Sequence, residues 1–343
     1  MTLLEGRVGG TGVYANALRR ALAARDDVEV EVISAPAGGG LNTIKWMVSG
    51  AGAGVRRTGA VVLHCPAFLA PLDSPVPLVL TILDLSLGRL PSGHPFEWRM
   101  YYRLVLPRLA RKAKAILTPT EATRNDVIDA FRLPPDDVVT TPLGVDSQFF
   151  ELPRRDRSTA SSLPVIAFPG PPIGRKNLDI VLRALASAPS GTALSRARLE
   201  ITGAAARDFP HYENWISQHG LQARVTWLGA LPYKDLPAVY ARADVLTYPS
   251  FMEGFGFPPL EAMAVGTPVV ASNASCLPEV LGDAALLVDP TDDAAFASAV
   301  ESVLTDADVR RRLVLLGSAR ARTFTWERCA AMTAAVYRRV AGL

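Results

Sequence analysis

The chain has 343 residues, 49% of them hydrophobic and 20% charged, with a formal net charge of +3. That length is about two domains; the apolar fraction excludes a disordered chain, and the mild charge excludes the strongly basic balance of a dedicated nucleic-acid binder. Cys65, Cys276 and Cys329 are odd in number and far apart, which fits neither a disulfide framework nor metal-ligand spacing. The first ten residues hold Glu5 and no apolar core, so they do not read as a signal peptide. Apolar runs such as PLVLTILDLSLG are too short and interrupted to cross a bilayer. A cytoplasmic protein is the expectation.

In chain order, Gly9, Gly10 and Gly12 form a glycine loop ahead of GVYANALRRALAAR. Val13, Ala17, Leu18, Ala21 and Leu22 give that segment the spacing of an amphipathic helix. GGTG lacks the full dinucleotide fingerprint and is weak evidence by itself; a nicotinamide oxidoreductase fits the α/β alternation but not the segment that holds Glu253 and Glu261. Val28–Ser34, Ala60–Cys65, Leu78–Asp84 and Ala115–Thr120 read as strands. Glu97–Ala115 mixes Arg and Lys with Trp98, Tyr101 and Tyr102 at helical spacing. It is either an amphipathic helix covering a sheet or a basic aromatic helix resting on an anionic membrane. Glu151–Pro164 is polar, rich in Ser, Arg and Pro and aperiodic, as linkers are. A second alternation then follows through VIAFPG, RLEITG, RVTWLG, ADVLTYPS, TPVVAS and ALLVDP, with a helical tail from Ala294 broken near FTWE. Strands alternating with helices predict parallel sheets, and the Gly or Pro at the strand ends suits sheet edges that face a ligand crevice.

The chemistry concentrates in FMEGFGFPPLEAMAVGTPVV, Phe251–Val270. The glycines let backbone approach a ligand, Pro258 or Pro259 opens a helix, and the helix start favours an anion. Two acids, Glu253 and Glu261, flank that anion site. Taken singly, they read as a solvated loop acid and a capping glutamate. Taken with the Gly-Phe-Gly-Phe-Pro core between them, they describe a phosphate or diphosphate with hydroxyl groups on either side. The histidines His64, His94, His211 and His219 show no metal spacing, and the acid pair of Asp306 and Asp308 sits in an Arg-flanked helical stretch where its DxD match is coincidental.

EGFGFPPLEAMAVGTPVVAS resembles the E-x7-E signature of retaining glycosyltransferases of family 4. RVGGTGVYANALRRALA, PIGRKNLDIVLRALA, LGVDSQFF and NASCLPEVLGDAALLVDPTD resemble further segments of that family in the same order. The nearest likeness is a mannosyltransferase-like branch acting on bacterial polysaccharides or glycolipids. The resemblance implies an α/β chain of the GT-B fold: two Rossmann-like, doubly wound parallel-sheet domains facing a deep interdomain cleft. It puts an acceptor-binding domain at 1–150, a linker at 151–163, a donor-binding domain at 164–325 and a returning C-terminal helix at 326–343.

It further implies that Lys176 and Arg175 neutralise the departing diphosphate, that Glu253 holds donor-sugar hydroxyls and that Glu261 holds the nucleotide ribose. Gly170, Gly254, Phe255, Gly256, Phe257, Leu228 and Gly229 would line the donor, and Gly9, Gly10 and Gly12 would close over it. Many relatives carry Arg after the glycine that ends the first strand of the second domain; here Pro171 follows Gly170. Relatives often carry His-Asp where this chain has Leu83 and Asp84, so Asp84 either orients the acceptor or ends a strand. Glu121 matches a helix-start position. The implied co-substrate is GDP-mannose or a dTDP- or UDP-hexose, with no metal and no cofactor. The implied acceptor is a glycan, a lipid-linked molecule or a small molecule such as a secondary metabolite; no nucleic-acid partner is expected, and oligomeric state is not encoded. An epimerase or hydrolase of the same fold, or a non-catalytic nucleotide-sugar-binding module, would carry the same signature.

Overall fold

The computed structural model describes residues 2–3, 9–34, 46, 51–89, 96–151 and 163–343. Most of the linker segment, most of the first ten residues, and His94 lie outside them. The chain forms two compact units, Met1–Gly144 with Phe324–Leu343, and Val145–Thr323.

In the first unit β1 (Thr2–Leu3) pairs in parallel with β2 (Ile33–Ser34). β3 (Leu63–Cys65), β4 (Leu78–Thr81), β5 (Ala115–Thr118) and β6 (Val138–Thr140) form a parallel ladder in that order. Every residue of β3, β4 and β5 is buried, because helices cover both faces of a parallel sheet. Alternation along the strands separates the two faces. Leu80 and Ile116 pack with Leu106, Leu109, Val127 and Phe131. Val79 and Leu117 pack with Val336 and Val340 of the C-terminal helix Trp326–Ala341. A buried hydrogen-bond chain ties that helix down: Tyr14 hydroxyl to Thr81 Oγ1 (2.9 Å), Thr81 Oγ1 to His64 Nε2 (2.8 Å), and His64 Nδ1 to the Tyr337 hydroxyl (2.6 Å).

Several sequence expectations shorten here. The alternating Val28–Ser34 forms a strand only at Ile33–Ser34, the two residues that find partners in β1. Alternation marks a face, but a strand also needs a ladder. The segment Leu78–Asp84 ends as a strand at Thr81. Thr120 leaves β5 to cap the helix Glu121–Phe131, its side chain accepting from Thr123 N (3.2 Å). The basic segment is helical at Phe96–Met100, takes a π-helical turn over Tyr101–Val105 and resumes at Leu106–Lys112.

The second unit holds β7 (Val165–Phe168), β8 (Arg198–Thr202), β9 (Val225–Gly229), β10 (Val245–Tyr248), β11 (Val269–Ser272) and β12 (Leu286–Val288), all parallel, in the order β12-β11-β10-β7-β8-β9. The chain winds one way from β7 to β9 and the other way from β10 to β12. The order therefore reverses between β7 and β10, and the C-terminal ends of those two strands are where such sheets hold ligands. Helix Leu178–Ser187, with Leu178, Ile180, Val181, Leu182, Ala184 and Leu185 buried, covers one face.

Gly144 carries no side chain because a Cβ there would lie 2.4 Å from Trp326 N and 2.7 Å from Thr325 C. Backbone cannot yield as a flexible side chain does. Gly144→Ala is expected to destabilise the protein by about 1–3 kcal/mol, read as a lower urea midpoint at unchanged slope.

Candidate functional site

The reversal point is where the predicted residues converge. β7 is followed by Pro169 and Gly170, and Gly170 takes φ +84 and donates its N–H to Thr202 Oγ1 (3.0 Å). The neighbouring Gly203 leaves no room either, since a Cβ on it would come within 2.9 Å of Gly170 Cα. A single 3₁₀ turn, Gly174–Lys176, follows and ends at Asn177 in the left-handed region (φ 56, ψ 50). The Asn177 amide donates to Pro249 O (3.2 Å) and Pro290 O (2.8 Å). Phe251 N donates to Arg175 O (2.8 Å). The loop after β7 is thereby fastened to the loop after β10.

That fastening brings Arg175 and Lys176 onto Glu253. Glu253 Oε1 lies 2.6 Å from Arg175 Nη1 and 3.0 Å from Lys176 Nζ. Arg175 Nη1 also donates to Met252 O (2.7 Å), and Lys176 Nζ donates to the Tyr248 hydroxyl (2.8 Å). Lys176 and Glu253 are 8% and 7% exposed, so this is a buried charge cluster and not a solvated turn. Burial pushes the Glu253 carboxyl up, but the charges of Lys176 and Arg175 outweigh it and bring it down to about 2. Ser275, itself at φ 56, donates its hydroxyl to Glu253 O (2.7 Å) and fixes the backbone there.

Gly254 and Phe255 are buried, and Gly256 at φ +91 caps the helix Phe257–Val265. A Cβ on Gly256 would meet Leu277 Cδ2 at 2.9 Å. The helix has no acid in its first turn and no side-chain cap, and a proline follows Phe257. Glu261 is 2% exposed and points elsewhere than Glu253 does: its Oε1 accepts from the Tyr233 hydroxyl (2.9 Å). Leu228 and Gly229 end β9, where Gly229 turns at φ +71 and its carbonyl accepts from Gly203 N (2.7 Å). Ser250, 1% exposed just beyond β10, has a hydroxyl with no hydrogen-bond partner among the described residues.

Residues 152–315 match the family model "Glycosyl transferases group 1", and residues 45–149 match "Glycosyltransferase Family 4". An O-antigen chain mannosyltransferase B of Escherichia coli is 34% identical over 292 residues, 81% of this chain and 74% of that protein. The chain belongs to the group 1 glycosyltransferases. An MMP alpha-(1->4)-mannosyltransferase of Mycolicibacterium hassiacum is 33% identical over 67% of this chain, and the match spans 55% of that relative's own length. Among solved structures, sucrose-phosphate synthase from Thermosynechococcus elongatus superposes with a TM-score of 0.76 at 21% identity, over 97% of this chain and 94% of that one. Anabaena HepE in complex with UDP-glucose superposes at 0.75 and 19%, over 100% and 98%. These likenesses give the fold, GT-B, with two parallel-sheet α/β units.

The first unit of this glycosyltransferase holds the remaining candidates except the acid pair Asp306 and Asp308, which lies in the second. Gly9 is the N-cap of helix Gly10–Ala23 in extended geometry, so Gly10 and Gly12 lie in the first helical turn and not in a loop. Gly12 N and Val13 N both donate to Gly9 O (2.8 and 3.1 Å), as the opening of a helix requires. Asp84 Oδ1 accepts from Ser86 N (2.9 Å) and Ser86 Oγ (2.6 Å), the local turn that stops the chain after β4. Glu121 opens its helix and lies 3.6 Å from Arg124. Asp306 caps the helix Ala307–Arg322 by accepting from Asp308 N (2.8 Å) and Val309 N (3.1 Å), which accounts for the DxD string. His64 is buried and held neutral, its pKa pushed down to about 3 by burial.

Sequence reasoning missed Thr202, Tyr233, Tyr240 and Ser275.

The two glutamates respond oppositely to pH. Burial pushes Glu261 up to about 8, with Asp146 adding to the rise and hydrogen bonds from Tyr233 and Tyr240 opposing it. Its ordinary value is 4.5. Between those values the folded chain keeps a proton that the unfolded chain has released, so this group costs stability as pH rises. Glu261→Gln removes the titration. Its stability relative to wild type is expected to rise between about pH 5 and pH 8, by roughly a few kcal/mol. Urea unfolding of both proteins at the two pH values measures it, and a pH-independent difference would contradict the assignment.

Proposed function

We propose that the protein is a retaining glycosyltransferase that moves a hexose, mannose in the first instance, from a nucleotide-diphosphate sugar to an acceptor hydroxyl. The acceptor is a glycan, a glycolipid or a small molecule, and the diphosphate is balanced by side-chain cations without a metal. One observation carries this reading: a buried cation, Lys176, and a partly buried one, Arg175, held by a single carboxylate at the strand-order reversal, beside a glycine-rich helix start. Cations in that position stabilise charge that grows as the diphosphate departs, which is where a transferase gains rate. The mannosyltransferase relatives support the sugar, and the bound UDP-glucose of HepE supports the donor class.

In the proposed reaction the bond between the sugar anomeric carbon and the diphosphate oxygen breaks, and its electron pair stays on that oxygen. The acceptor hydroxyl attacks from the same face, and its proton passes to the departing oxygen. A glycoside of unchanged anomeric configuration and a nucleoside diphosphate result. Lys176 and Arg175 hold the diphosphate, and Glu253 both anchors those cations and accepts hydrogen bonds from donor-sugar hydroxyls. Glu261 accepts from the ribose hydroxyls once a nucleotide displaces Tyr233.

A thermal-shift series against GDP-, UDP-, ADP- and dTDP-sugars identifies the donor, because a ligand of the folded state alone raises stability. With that donor, Lys176→Ala and Glu253→Ala are each expected to lower transfer by about 10²-fold or more, with circular dichroism unchanged. Full transfer in either variant, or inversion of the anomeric centre by NMR, would sink the reading. Donor turnover undiminished without acceptor would instead indicate a hydrolase.

A further inference from the structure

The position proposed for the ribose already has an occupant. Glu261 is 2% exposed, and its carboxyl has two hydroxyl partners, Tyr233 and Tyr240. The two tyrosines are held in different ways. Tyr240 is buried within the helix Leu236–Arg242, and its ring stacks at 6.2 Å on the fully buried Phe149. Tyr233 belongs to the single 3₁₀ turn Tyr233–Asp235, none of whose residues is buried. That turn lies on the connection that leaves β9 through Gly229 at φ +71. The Tyr233 ring meets Phe149 edge-on at 5.5 Å, and its hydroxyl donates to Glu261 Oε1 (2.9 Å). Of the two tyrosines, Tyr233 is the one that can leave without opening the core.

We propose that Tyr233 competes with the nucleotide for Glu261 and so restricts the donor to nucleotides with an intact ribose diol, excluding 2′-deoxy donors such as dTDP-sugars. It rests on Glu261 being the ribose acceptor of the proposed donor site. A phenol supplies one hydrogen bond to the carboxylate, and a vicinal diol supplies two. A ribonucleotide that takes the place of Tyr233 therefore ends with one bond more, whereas a 2′-deoxyribonucleotide trades one hydroxyl for another. Burial makes that difference count, because water does not make up a missing donor in a closed site. Molecules with Tyr233 in place cannot bind, so the apparent affinity of every ligand falls with the fraction that is open. A ligand that gains nothing from the exchange is thereby rejected. In the empty enzyme the same hydroxyl keeps a buried carboxyl satisfied.

Isothermal titration of the full chain with GDP, UDP and ADP picks the nucleotide that binds most tightly; it and its 2′-deoxy form are the probes. Wild type is expected to bind the 2′-deoxy form about tenfold or more weakly. Tyr233→Phe keeps a ring against Phe149 and removes only the competing hydroxyl. It is expected to bind both probes about tenfold more tightly, the worth of one hydrogen bond, with their ratio unchanged. Where Glu261→Gln is already present, the same substitution is expected to change affinity by about twofold at most, since the two residues act as a pair. A merely structural tyrosine would give no gain in affinity, and cooperative thermal melts check that each variant folds. Nucleotide binding by Tyr233→Phe that only equals or falls below wild type overturns the proposal and leaves the donor reading standing. So does wild-type binding of both probes alike. Failure of all three nucleotides to bind wild type, or undiminished binding by Glu261→Gln, sinks the donor reading and the competition with it.

Discussion

The second unit is organised around one electrostatic constraint: two cations and one carboxylate share a pocket that water barely reaches. Desolvating Lys176 without Glu253, or Glu253 without a cation, costs free energy. Placed within 3.0 Å of one oxygen, they offset each other's desolvation. The remaining donor capacity goes to Met252 O and the Tyr248 hydroxyl. The partners come from loops after two different strands, so the cluster also fastens the sheet at the point where its order reverses. An anion entering there finds one net positive charge already desolvated and held in place, which is the preorganisation that electrostatic catalysis requires.

Glu253 and Glu261 show how one residue type takes two states within a single short motif. Glu253 precedes the turn and faces two cations. Glu261 lies one and a half turns into the helix, where the nearest groups are tyrosine hydroxyls and the like charge of Asp146. One carboxyl falls to about 2 and the other rises to about 8. An ionised group suits an anchor for cations. A group accepting neutral hydroxyl donors suits exchange with other hydroxyls, such as those of a ribose, and Tyr233 already occupies that position.

Much of this was legible in the sequence because the signals were local. The six strands of the second unit, the glycine turn and both glutamates follow from apolar runs and from residues whose backbone demands are specific. The contacts that make the site were not legible. Arg175 and Lys176 meet an acid almost eighty positions away, and they are set toward it by Asn177 in a left-handed conformation, reaching across to Pro249 and Pro290, and by the hydrogen bond from Phe251 N to Arg175 O. GRKN by itself also admits a solvated turn. In the first unit local signals also misled: the alternation of Val28–Ser34 found a partner at only two residues, and Gly10 and Gly12 joined a helix. The fold of that unit was readable, but which of its residues touch ligand was not.

Chemically suggestive side chains in the first unit turn out to serve packing. His64 is enclosed by Thr81 and Tyr337, and Cys65 and Cys329 are fully buried. A buried imidazole with a hydrogen-bond partner on each ring nitrogen needs no charge to be satisfied, and burial keeps it neutral far below physiological pH. It joins β3, β4 and the C-terminal helix, a structural task for which reactivity would be a liability.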